Sequence, residues 1–197
     1  MKKIVLVILY LFVINTSLVA DEKENLKVNF LNKIDEVIFV VKDKTIDKEE
    51  RNSKIIDLLT PMFDFELMAK LSLGKKWKVL DRSSQDKFVN LYVKRMKQSY
   101  SSKLDAYSNE KVEVKSILQP KSTRIYLNTD LLSSDDKLDI VYKFHKPKNK
   151  PKGKEDWLIY DVEILGVSIL KTDRAQFNEF LKTKSLNDLM DELSKQI

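Results

Sequence analysis

The sequence predicts an α+β fold in which helices pack on a four-stranded, mainly antiparallel sheet. Three observations carry this. Through the first half, and again at the end, apolar residues recur at steps of three and four, the helical period. Between residues 112 and 164 they instead alternate with polar residues, the period of a strand with one buried face. The 197 residues include only three Gly and four Pro, which leaves few tight turns and favours long regular elements.

The chain opens on the basic Met1-Lys2-Lys3, runs through the uncharged Ile4–Ile14, breaks at Asn15-Thr16-Ser17, and passes from Ala20 into Asp21-Glu22-Lys23-Glu24. That order is a secretory signal peptide. The apolar run is shorter than the ~20 residues of a spanning helix, so residues 1–20 are expected to be cleaved near Ala20, leaving 21–197 as a single domain. Leu26, Phe30, Ile34, Val37, Ile38 and Val41 then mark a first helix. Asp47, with Glu50 three residues on, caps a second that Pro61 ends. Asp64 opens a third, and Gly74 stops it. Ser83 with Asp86 opens a fourth, extending to about Leu104. Its apolar residues Phe88, Val89, Leu91, Tyr92, Val93, Met96, Tyr100 and Leu104 cover roughly 200° of the helical wheel. Such width implies apolar neighbours on two sides, whether a central core or a core and a cavity.

Four strands follow. Val112 and Val114 define the first, and Ile125 and Leu127 the second. Leu138, Ile140, Tyr142 and Phe144 form one face of the third, and Leu158, Tyr160, Val162 and Ile164 one face of the fourth. Helix returns over Ser168–Leu181, and Ser185 with Asp188 caps a last helix through Leu186, Leu189, Met190 and Leu193.

Composition narrows the function. The formal charge of +6 includes Lys2 and Lys3, so the mature chain keeps +4, a mild excess spread along its length. With export, this argues against a nucleic-acid partner. No Cys is present, so stability in an oxidising compartment must come from apolar burial. His145 is the single His, expected at an exposed strand end, so neither a His-rich metal site nor a Ser–His–acid system has its parts. The Gly residues stand alone at 74, 153 and 166, which excludes a Gly-rich phosphate loop. Asp161 and Glu163 share a strand face, expected to be the outer face of the sheet. The reading is therefore of a protein that is not an enzyme. The Lys-rich stretch Lys146–Lys154 admits two readings, a site for anionic head groups or an acidic partner, and a solvated hairpin loop.

Specific words then matter. The segment Phe63-Asp64-Phe65-Glu66-Leu67-Met68-Ala69-Lys70-Leu71-Ser72-Leu73-Gly74-Lys75-Lys76-Trp77 resembles the helix-to-Trp segment of the MlaC family, also called the toluene-tolerance auxiliary proteins. Phe88 through Tyr100-Ser101-Ser102, and then Tyr107 to Val112, continue in the same register. Trp157 to Leu170 is similar to the family's Trp, Asp-Val and Gly-Val-Ser signature, and Arg174, Gln176 and Phe177 match its ending. The likeness covers about the whole mature chain. One departure is Asp173, where the family would place an aromatic residue.

The resemblance implies a periplasmic phospholipid carrier, with acyl tails held in an apolar cavity between helices and a curved sheet. It implies no cofactor, only phospholipid as cargo. The implied partners are an outer-membrane lipoprotein complex and an inner-membrane ABC transporter with a lipid-binding ring, and the implied role is maintaining outer-membrane lipid asymmetry. A monomer is expected. The physics agrees: about 30 methylenes at ~0.8 kcal/mol each make bringing both tails into water cost on the order of 20 kcal/mol, so a carrier needs apolar walls and little directional chemistry. On inward-facing periodicity, the candidate wall residues are Met68 and Leu71 on the third helix and Val93, Met96 and Tyr100 on the fourth. Val114, Leu127 and Val162 come from the sheet, with Val167 just after it. For each, an ordinary core position is the competing reading. The competing function is an exported chaperone for lipidated or unfolded proteins.

Overall fold

In the computed structural model the backbone is described for residues 2–104, 110–133 and 136–197, and side chains for 21–99, 110–133 and 136–197. Helix α1 spans Lys2–Lys42, so one helical backbone runs through the apolar start of the chain and the first amphipathic segment. Helix α2 spans Lys48–Leu59, with Asp47 accepting the Glu50 N–H at its start. Pro61 brings the chain into a 3-10 turn, Thr60–Met62. Helix α3, Phe65–Leu73, starts where Asp64 accepts from the Leu67 N–H at 2.9 Å and stops at Gly74. Gly74 has φ +57°, a conformation that favours glycine, and a Cβ there would lie 3.0 Å from the Arg174 guanidinium, which would have to shift. A second 3-10 segment, Gly74–Val79, leads to α4, Arg82–Leu104. Its cap is Asp81, which takes the Ser84 N–H at 2.8 Å, and not the expected Ser83; Asp86 pairs with Arg82 instead.

Strands β1 (Lys111–Lys121), β2 (Arg124–Leu132), β3 (Lys137–His145) and β4 (Leu158–Ile164) form an antiparallel meander. A fifth strand, β5 (Val167–Ser168), adds to the expected four. It exists because Leu165 and Gly166 both take positive φ, +50° and +78°, which folds the chain back in a two-residue turn. Helix α5 is Ile169–Phe180, capped by Ser168, and α6 is Leu186–Lys195, where Ser185 and Asp188 close a full capping box.

One cross-strand row reads Ile117, Leu127, Tyr142, Val162. The register slips between Lys143 and Phe144, so Tyr160 is an extra residue on β4. The slip corrects the expected face: Ile159, not Leu158 or Tyr160, joins Val162 on the inner side. Two apolar clusters result. One lies on the inner face of the sheet under α1, around Phe30, Ile125, Leu127 and Phe144. The other is all-helical and gathers Met68, Phe88, Tyr92, Met96, Phe177 and Leu193 from α3 to α6. Phe63 and Ile169 touch both, and the Asp64 N–H donates to the Ile159 carbonyl at 2.9 Å, pinning the start of α3 to β4.

Among the described residues, no helix is long and apolar enough to cross a membrane.

Candidate functional site: an apolar cavity over the sheet

The stripe on α1 does not close completely onto the sheet. Phe30, Ile34, Val37, Ile38 and Val41 form one wall of a cavity of about 230 Å³. Ile55, Ile56 and Leu59 of α2 continue the wall, followed by Met62, Phe63 and Phe65 around the 3-10 turn. The floor is the sheet: Val112, Leu131, Ile140, Tyr142, Ile159, Val162 and Ile164. Phe30 leans on Tyr142 with centroids 4.7 Å apart, and Phe63 stacks on Phe65 at 5.2 Å. Polar groups are few. The Thr60 hydroxyl is turned back to the Ile56 carbonyl at 2.6 Å, and the charged side chains on the lining are Lys97 of α4 and Glu110, just before β1. Such a surface offers apolar contact and little else, so its natural occupant is hydrocarbon. A second concavity, of about 420 Å³, lies between residues 21–33 of α1 and Glu155–Trp157. Its lining of Asp21, Glu22, Asn25, Asn29 and Lys33 suits water better than acyl chains.

The rim is held by buried polar contacts. His145 is buried, not exposed as expected, because the strand end tucks under the 3-10 turn; its Nε2–H donates to Asp64 Oδ2 at 2.7 Å. The other Asp64 oxygen caps α3, so the pair ties the end of β3 to the start of that helix. Burial works against the Asp64 charge, but the bonds from His145 and the Leu67 N–H hold the carboxyl below its ordinary value. Lys154, from the Lys-rich loop, turns inward and donates to the carbonyls of Thr60 at 2.7 Å and Phe63 at 2.9 Å. Burial pushes its ammonium down in pKa, with Asp64 opposing the shift and Lys97 adding to it.

The nine candidate wall residues scatter. Val162 lines this cavity. Leu127 is buried in the sheet cluster and Val114 packs against it, both away from the cavity lining. Met68 and Met96 are buried in the helical cluster. Leu71 and Val93 are half-buried on α3 and α4. Val167 is 60% exposed beside the β4–β5 turn, and the side chain of Tyr100 lies outside the described residues. The wide apolar arc of α4 is therefore used mainly by α3, α5 and α6. The signal for the wall was the α1 stripe, which the sequence displays openly.

Two polar clusters lie outside the cavity. Asp161 is buried, which corrects its expected place on an open sheet face: α5 covers it, and it accepts from Ser168 Oγ, the Leu170 N–H and Lys143. Glu163 takes the same Lys143 at 2.5 Å. Asp173, 3% exposed, accepts from the Tyr92 hydroxyl at 2.8 Å and pairs with Arg95.

A family model described as MlaC protein matches residues 32–195. The intermembrane phospholipid transport system binding protein MlaC of Haemophilus influenzae is 22% identical over 138 residues, covering 70% of this chain. The match spans 64% of that relative's length. Among solved structures, the phospholipid-binding protein of Ralstonia solanacearum, in complex with a phospholipid, superposes with a TM-score of 0.73 at 18% identity. That likeness covers 88% of this chain and 95% of the other and shows a shared fold.

Proposed function

The chain belongs to the MlaC family, and from that premise we propose that it carries phospholipid between membranes, its acyl tails held in the cavity between α1, α2 and the sheet. The observation that carries the reading is the cavity itself, whose walls are almost wholly apolar. Sequestering tails there removes the cost, on the order of 20 kcal/mol, of bringing them into water. The names of the Haemophilus and Ralstonia relatives support the cargo class.

At about 230 Å³ the cavity is smaller than the ~300–1,000 Å³ of pockets that enclose drug-sized ligands, so two tails require the walls to part. The α1–α2 side is the wall to move. Helix α2 buries only Ile55, whereas each strand of the sheet floor is hydrogen-bonded to its neighbours. The finer assignment is a periplasmic shuttle between an outer-membrane lipoprotein complex and an inner-membrane ABC transporter, maintaining outer-membrane lipid asymmetry. It is not an enzyme and takes no cofactor. Its leader of residues 1–20 is removed on export.

The test is transfer of a fluorescent phospholipid between donor and acceptor vesicles that cannot touch. Transfer should rise in proportion to added protein. An unchanged rate with lipid-depleted protein would reject the carrier role.

A further inference from the structure

We infer that Lys97, with Lys154 beside it, is the site that meets the phosphodiester of the bound lipid. The inference rests on the carrier reading and adds the means by which the protein would tell a phospholipid from an uncharged two-tailed lipid.

Lys97 projects from α4 onto the lining of an otherwise apolar cavity and is half-buried. A cation on an apolar wall gives up part of its hydration, and an anionic ligand there restores what burial removes. Lys154 brings a second ammonium group to residues of the same lining, and the Lys97 charge works against its own. It is fixed in place by its bonds to the Thr60 and Phe63 carbonyls and by the Phe65 ring, whose centroid is 5.8 Å away. Two of its three N–H donors are thereby used, and one remains. Thr60, Phe63 and Phe65 all line the cavity. Lys97 on the lining, and Lys154 bonded to Thr60 and Phe63 of the same lining, thus set two cations beside an apolar interior, where a lipid's phosphate would sit if its tails filled that space. Phosphate accepts several charge-assisted hydrogen bonds at once, and lysine suits it as a mobile point charge.

The test loads lipid-depleted protein from vesicles holding equal amounts of phosphatidylethanolamine and a diacylglycerol with the same acyl chains. Native mass spectrometry reads the ratio bound. The unmodified protein should prefer the phospholipid. Lys97→Gln and Lys97→Met should each lower that preference about tenfold, the scale of one charged hydrogen bond. Lys97→Arg should retain it, as should Lys94→Gln at an exposed position of the same helix. An unchanged preference in Lys97→Gln and Lys97→Met would overturn the inference while leaving the carrier reading standing. Failure of the unmodified protein to take up either lipid would overturn the carrier reading and the inference with it. A parallel arm adds inorganic phosphate to lipid-depleted protein. No change in thermal midpoint is expected. A rise that disappears in Lys97→Gln, with the lipid preference unmoved, would assign the pair to free phosphate instead.

Discussion

His145 Nε2 sits 2.7 Å from Asp64 Oδ2, although the two residues are 81 apart in sequence. The contact joins the end of β3 to the cap of α3 at the edge of the cavity. Replacing His145 with Ala should cost about 1–3 kcal/mol, because a half-buried carboxylate loses its partner; urea denaturation measures it.

The same pair sets a pH dependence. Burial opposes the charge of Asp64, but the bonds from His145 and the Leu67 N–H outweigh it and hold its pKa below the ordinary carboxylate value. The stabilisation is therefore present above that ordinary value, and it is lost as pH falls through the lower folded value. Thermal midpoints followed from about pH 5 downward should fall more steeply for the unmodified protein than for Asp64→Asn. Equal slopes would remove Asp64 from the account.

Asp173 is buried between Tyr92 and Arg95, and Arg95 also lies over the Phe177 ring at 5.5 Å. Asp173→Leu should cost about 3–5 kcal/mol by leaving a guanidinium partly buried and unpaired. Adding Arg95→Met should recover a large part of that loss, since the charge left behind is then gone. A double variant as weak as the sum of its parts would mean that the pair does not act as a unit.

Neither long-range pair was legible in the sequence, whereas the helix caps were. Capping is local, so Asp47, Asp64, Ser168 and Ser185 announce their helices from a few neighbouring residues. The face of β4 was not legible, because the single extra residue at Tyr160 inverts every position before it and leaves no mark on an apolar run. The α1 stripe of the cavity wall was legible, but the part played by α4 was not. A broad apolar arc on α4 reads the same whether it faces a cavity or buried helices, and Met68 and Met96 lie in the helical cluster while Phe30 and Val37 line the cavity. Asp173 looked like a departure in sequence and is an ion-pair site whose partner, Arg95, lies 78 residues away.

The Lys-rich loop divides in two. Lys148 and Lys152 are exposed, as is Lys150, which pairs with Asp156. Lys154 is tied to the cavity rim. Changing Lys148, Lys150 and Lys152 to Glu should weaken binding to anionic vesicles in a salt-sensitive way while lipid content holds. Cosedimentation with lipid analysis reads both. Loss of lipid with vesicle binding intact would reverse the assignment.

The central claim is that the space between α1, α2 and the sheet holds the tails of one phospholipid, and native mass spectrometry of the freshly purified protein tests it most directly. The unmodified protein should carry one two-tailed phospholipid per chain. Val162→Trp should fold with a similar thermal midpoint once both are stripped of lipid, because the indole occupies tail space, yet carry little or none. Met68→Trp, in the filled helical cluster, should instead lose about 1–3 kcal/mol of stability. Unmodified protein bearing no lipid, or bearing mixed unfolded polypeptide in its place, would contradict the account, as would a folded Val162→Trp with its phospholipid still bound.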